Sequence, residues 1–156
     1  PLPWEFRDPL EAVWDDIAHA GEEAAPELRA LRDVVSWAYS HAESFWGRHQ
    51  VDRDGTPRVP AGGWAGRWDA GEWAFIAFFP TVLQQVLQDF GYEPDAVLQA
   101  WRARGWLATE GDRGRYTQRM RLGSERPRLV AIRREAIEAA ERAEDAGGDG
   151  GDVVGT

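Results

Sequence analysis

PTVLQQVLQDFGYEPDAVLQAWRARGW, residues 80–106, decides the fold. Val82, Leu83, Val86, Leu87 and Phe90 recur at helical period and form a single apolar stripe. Pro80 suits a first helical turn, where its missing N–H has no intrahelical acceptor, and Gly91 is placed to end the helix in a left-handed conformation. Tyr92-Glu93-Pro94 reads as a turn, and a second helix over Asp95–Arg104 buries Val97, Leu98 and Trp101 before stopping at Gly105. Beyond it, residues 106–109 and 116–122 read as strands of a hairpin about the tip Glu110-Gly111-Asp112-Arg113-Gly114, with a further strand over Leu129–Ile132. Two helices about a tight turn, followed by a basic hairpin, have the plan of a winged helix. The predicted class is therefore α+β: a winged-helix-like helix-turn-helix with small antiparallel strands.

Working upstream, Trp64–Trp68 and Trp73–Phe78 flank Asp69-Ala70-Gly71-Glu72 and read as an aromatic β-hairpin. Alternation puts Trp64, Gly66 and Trp68 on one face of it, and Trp73, Phe75 and Ala77 on one face of the return strand. Such a cluster is read as core in preference to a base-stacking platform. Residues 50–63 break regular structure; Asp52-Arg53-Asp54-Gly55 has part of a calcium-loop pattern without its remaining ligands and reads as a solvated turn. A long helix opens near Pro26, buries Leu28, Leu31, Val34, Val35, Ala38 and Tyr39, and is expected to end near Gly47. Trp37, His41 and Phe45 stack along its end. His41, Glu43 and His49 lack the further ligands of a metal site, so a polar cap over aromatic packing is the reading there.

At the start, Leu10, Val13, Trp14 and Ile17 mark a short amphipathic helix read as an arm docked on the body. At the end, a helix anchored by Ile137 gives way to a Gly- and Asp-rich stretch expected to be disordered from about Asp145. The expected organisation is an arm over 1–25, a winged-helix-like domain over 26–134, and a helix end with an acidic tail over 135–156.

The chain has 156 residues and no cysteine, which excludes disulfides, zinc–thiolate sites and cysteine catalysis. No apolar run is long enough to span a membrane and no signal peptide opens the chain, so a cytoplasmic product is expected, cut from something longer since it does not begin with Met. The net charge of −9 hides a segregation. Residues 1–101 hold seven Arg against 17 acidic residues, residues 102–134 ten Arg against three, and residues 135–156 one Arg against seven. Every cation is Arg, whose planar fork suits phosphate and base edges.

Val35-Ser36-Trp37 with Ser44-Phe45, Gly66-Arg67-Trp68, Ala77-Phe78-Phe79-Pro80, Gly91-Tyr92, Ala96-Val97-Leu98, Gly105-Trp106-Leu107, Arg115-Tyr116-Thr117, Arg119-Met120-Arg121 and residues 126–132 (RPRLVAI) follow one another in a characteristic order. In this series the chain resembles the C-terminal region of large phage and integrative-element proteins labelled superfamily II helicases and inactivated derivatives. The resemblance covers about residues 30–134. It implies a parent with a nucleotide-binding ATPase core upstream that serves a mobile element, and it transfers no catalytic residue. A chain without Lys cannot carry a Gly-x-x-x-x-Gly-Lys phosphate loop, and no cofactor is implied.

The expected function is non-catalytic binding of nucleic acid. Gln99, Arg102 and Arg104 on the second helix would face a groove, Arg113 and Arg115 would lie against phosphates, and Arg119, Arg121, Arg126 and Arg128 would extend the basic strip, joined by Arg133 and Arg134. Weak, sequence-tolerant binding of single- or double-stranded DNA follows. The alternative is an assembly module, contacting the parent ATPase core or a second copy through the same strip. An independent enzyme lacks any constellation to support it.

Overall fold

Pro26 occupies the first turn of helix α1 (Pro26–Ser40), whose inward stripe is Leu28, Ala30, Leu31, Val34, Val35 and Ala38. In the computed structural model, residues 25–109 and 116–143 are described; the N-terminal arm, the tip over 110–115 and the acidic tail lie outside them. The helix does not reach Gly47. His41 caps it, its backbone N–H donating to Trp37 O and Ala38 O, and a single 3-10 turn (Ala42–Ser44) leads into strand β1 (Phe45–Trp46). The reason is tertiary: Phe45 is 0% exposed and meets Phe78 and Trp68 edge-on at ring separations of 5.2 and 5.9 Å. Burying that ring in the sheet outweighs another turn of helix. Trp37 keeps its expected neighbours, stacking on His41 at 4.2 Å and meeting Phe45 edge-on at 6.3 Å.

Strand β1 runs parallel to β2 (Gly66–Arg67), which pairs antiparallel with β3 (Phe75–Phe78), so the sheet is mixed where antiparallel strands were expected. The aromatic hairpin is present, with Gly66 opposite Phe78 and Arg67 opposite Ala77. Its faces differ from simple alternation. Trp68 packs on the inner side with Phe45, Ile76 and Phe78, whereas Trp64 packs on the outer side with Phe75 and Ala77. An extra residue is the cause: Ala65 N–H donates to Ser44 O and Trp68 N–H to Trp46 O, three positions against two, and Gly66 permits the close approach, since a Cβ there would stand 1.8 Å from the Ala77 carbonyl oxygen. Ala65 and Trp68 can then both turn inward.

Helices α2 (Pro80–Asp89) and α3 (Pro94–Ala103) follow the predicted boundaries to within one residue; Val97, Leu98 and Trp101 are buried as expected, and of the first stripe Leu83, Val86 and Leu87 are buried while Val82 is half-buried and Phe90 is exposed. Both end in the same six-residue motif. Tyr92 N–H donates to Leu87 O and Gly91 N–H to Gln88 O, and one helix later Trp106 N–H donates to Trp101 O and Gly105 N–H to Arg102 O. This closure satisfies the terminal carbonyls and requires a left-handed residue, supplied by Gly91 (φ 88°) and Gly105 (φ 72°). Two long-range bonds hold the pair on α1: Tyr92 Oη donates to Asp33 Oδ2 at 2.6 Å, and Trp101 Nε1 donates to Glu27 O at 2.8 Å.

The wing departs from the expected pairing. Strand β4 (Leu107–Ala108) does not pair with residues 116–122; it pairs with β6 (Arg128–Arg133), Leu107 opposite Ile132. Strand β5 (Gln118–Arg119) also pairs with β6, further along, with Gln118 opposite Leu129. Arg133 N–H donates to Trp106 O and Met120 N–H to Pro127 O, whereas Arg134 N–H donates to Ala74 O beside β3. By the strand's alternation, β4 and β5 therefore share one edge of β6 and β3 holds the other. The order is β1-β2-β3-β6-β4, with β5 beside β6.

The helices, including α4 (residues 134–143, with Ala136, Ile137 and Ala140 buried), cover the face bearing Ile76, Phe78, Val130 and Ile132. The other face gathers Ala77, Met120, Leu122, Leu129 and Ala131 with Trp46, Trp64, Phe75 and Phe79. The described fold is winged-helix-like, as the sequence predicts.

Candidate nucleic-acid interface

The β5–β6 ribbon turns at Gly123-Ser124. Leu122 and Glu125 exchange backbone hydrogen bonds at 2.8 and 3.1 Å, and Gly123 has φ 65°, as a two-residue hairpin requires at its first turn position. The register then fixes every side chain. Leu122 faces Glu125, Met120 donates to Pro127, Arg119 stands opposite Arg128, and Arg121 therefore stands opposite Arg126. Met120, Leu122 and Leu129 are buried against the outer face of the sheet, which leaves Arg119, Arg121, Arg126 and Arg128 on the exposed face. Both Arg pairs fall at non-hydrogen-bonded positions, where opposed side chains stand closest, about 5 Å apart at Cβ. Among the described residues, none of the four forms an ion pair.

Arg67 ties this ribbon to the sheet. Its Nε and Nη2 donate to Asp69 at 3.0 and 3.2 Å, and its Nη1 donates to the Arg121 carbonyl at 3.0 Å. Arg121 Nε in turn donates to Gly123 O at 3.2 Å, bracing the turn. Sequence reasoning sees the alternation of Arg119 and Arg121 but not the cross-strand pairing, for which the Gly-Ser turn that sets the register is a signal, and it misses Arg67, whose contact with Arg121 spans 54 positions.

The other predicted residues separate. Gln99 is exposed on α3, and Arg102 is half-buried one turn on. Arg104 is committed to the fold: its Nη2 meets Glu27 Oε1 at 2.7 Å with the two side chains 27% and 20% exposed, and its guanidinium lies 5.1 Å from the Trp106 ring. Arg133 Nε donates to Leu107 O, while Arg134 bonds Glu138 and Trp73 O and lies over the Trp73 ring. Arg113 and Arg115 lie outside the described residues.

Among the described residues, His41 and His49 bond the backbone: His41 Nδ1 donates to Trp37 O, and His49 Nδ1 accepts from Gly47 N–H. Asp52 pairs with Arg58 across a small hairpin in which Val51 bridges Pro57. Among the described residues, no three His, Cys, Asp or Glu are grouped to hold a metal, and no helix is long and apolar enough to cross a membrane.

Helices α2 and α3 across a Gly91 turn, with a ribbon wing behind them, define a helix-turn-helix protein of the winged type. The chain belongs to the Cch helix-turn-helix domain family, whose sequence pattern matches residues 27–133. No curated protein matches it. Membership in a helix-turn-helix family points to a nucleic-acid-binding, non-catalytic role.

Proposed function

We propose that this chain is the DNA-binding, non-catalytic domain of a helicase-like protein of a mobile element, and that it grips the phosphate backbone with Arg119, Arg121, Arg126 and Arg128. The observation that carries this reading is the opposition of Arg119 to Arg128 on an exposed ribbon face. Like charges directly across a strand pair oppose folding, so an anion that bridges them is the natural partner. The helicase parent rests on the resemblance over residues 30–134 alone.

Fluorescence anisotropy of labelled DNA tests the reading. Four phosphate contacts give a slope of log K against log salt of about −3.6, which between 50 and 200 mM salt is a loss of roughly 150-fold. Absence of binding at low salt would refute it. The assembly reading is favoured by Phe90, which is 44% exposed in the turn between the two helices. Concentration-dependent self-association, at salt where DNA no longer binds, would support that reading instead.

A further inference from the structure

We infer that the ribbon alone enters a DNA groove while α3 stays outside it, so that the chain holds the backbone of double-stranded DNA without reading its sequence. This deepens the proposed DNA binding and depends on it. A helix-turn-helix that reads bases presents the N-terminal residues of its second helix to the major groove. Here those residues are Asp95, Ala96 and Gln99, preceded by an exposed Glu93. Residues 80–101 contain Asp89, Glu93 and Asp95 and no cation. The first turn of α3 would otherwise attract phosphate through its free N–H groups, but Asp95 already places a carboxylate there. Of the cations that follow, Arg102 is half-buried and Arg104 is held by Glu27. Docking α3 in a groove would bring two exposed carboxylates against phosphates, with one amide, that of Gln99, to compensate.

The ribbon has the opposite character. Residues 118–128 contain four Arg and one acid, Glu125. A two-stranded ribbon fits a major groove about 12 Å wide, and same-face residues along each strand recur at about 6.6 Å, so the four forks form a two-by-two array. Duplex is favoured over single strand for a separate reason. Binding to unpaired bases relies on exposed rings for stacking, and the exposed large apolar side chains among the described residues are Tyr39, Val51, Val59 and Phe90, none of them on the ribbon.

The test uses the full chain with labelled duplexes of two unrelated sequences and the corresponding single strands. The pair variants R119A/R128A and R121A/R126A are each expected to weaken duplex binding about tenfold or more and to flatten the salt slope by about 1.8. Q99A/R102A and E93Q/D95N are expected to stay within about twofold, both duplexes to bind equally, and single strands to bind more weakly. Thermal melting of each variant establishes that it is folded. A tenfold loss in Q99A/R102A with the Arg-pair variants unaffected, or a preference for one duplex that Q99A/R102A abolishes, would put α3 in the groove and overturn the inference while leaving DNA binding intact. Tighter binding to single strands than to duplex would overturn it as well. If the native chain binds no DNA of either form, the proposed function falls, and this inference with it.

Discussion

Replacing Arg128 by Thr should stabilise the fold and weaken DNA binding together. Arg128 faces Arg119 at a non-hydrogen-bonded position, with the Cβ atoms about 5 Å apart. Two unit charges at that separation repel by about 0.8 kcal/mol in water, and a Debye length of about 10 Å at 0.1 M salt lowers this to roughly 0.5 kcal/mol. Arg126, two residues away on the same strand, adds a smaller share. Thr also suits a half-exposed strand better than a long charged chain does. The expected gain is about 0.5–1 kcal/mol, or some 2–4 °C in Tm for a domain of this size. Thermal melting followed by circular dichroism, at about 20 mM and 500 mM salt, measures it. The electrostatic part of the gain should shrink to roughly 40% at the higher salt, because the repulsion it relieves is screened there, while the part due to Thr stays; R119T should behave alike and the double variant should gain less than the sum. A gain indifferent to salt would show that the Arg119–Arg128 repulsion is not what the substitution relieves, and a fall in Tm for R128T at low salt would show that Arg128 makes a stabilising contact within the chain. In that case it would not be free for phosphate.

Three further outcomes follow from the same structure. Burial, and then the hydrogen bond to Asp33, push the Tyr92 hydroxyl up to about 12. A raised value favours the protonated phenol in the fold, so its contribution is complete below about pH 10 and is lost as pH rises towards 12. Absorbance at 295 nm should show a late step for Tyr92 that is missing in Y92F, while Tyr39, which burial and then Glu141 also push up, stays late in both; Y92F also loses about 1 kcal/mol at neutral pH. Gly66→Ala would set a Cβ 1.8 Å from the Ala77 carbonyl, and a loss of about 3 kcal/mol or more in urea unfolding is expected. Arg104→Ala should cost about 1 kcal/mol in urea unfolding by releasing Glu27, yet leave the DNA affinity of the folded protein unchanged; a clear loss of affinity would return Arg104 to the DNA-binding surface.

What could be read from the sequence was local. The stripes over 82–90 and 97–101, and the glycines that end each helix, are short-range signals, and they placed both helices to within one residue. The sequence misassigns the wing because residues 107–108 suit either of two partners, and only the assembled sheet puts them against Ala131 and Ile132 instead of residues 116–122. Arg104 illustrates the same limit at a single side chain. Its partner lies 77 positions away, so nothing near it in the chain distinguishes a bound guanidinium from a free one. The reversal of faces around Gly66 is hidden because alternation assumes an unbroken ladder, whereas Ala65 and Trp68, three apart, bond Ser44 and Trp46, two apart. The Arg strip was visible as composition and half visible as phase. Its cross-strand register was implied by the Gly123-Ser124 turn but needed Met120 and Leu122 to be seen buried beneath it.

The charge of the whole chain is therefore a poor guide to its partner. At physiological salt a charge is felt over about 8 Å, so a phosphate beside Arg121 or Arg126 responds to the ribbon far more than to the net −9. The acids still act, through their placement. Asp89, Glu93 and Asp95 surround the turn and the first turn of α3, and residues 80–101 supply no cation of their own, Arg29 of α1 being a positive charge close to Tyr92. A polyanion approaching the molecule is attracted at the ribbon and repelled at the helix pair, which favours orientations that dock the wing before any helix contact forms. Segregation of this kind sets geometry as well as affinity. With Arg104 already tied to Glu27, the proposed ribbon contact would leave the helix-turn-helix the role of a frame that holds the ribbon out.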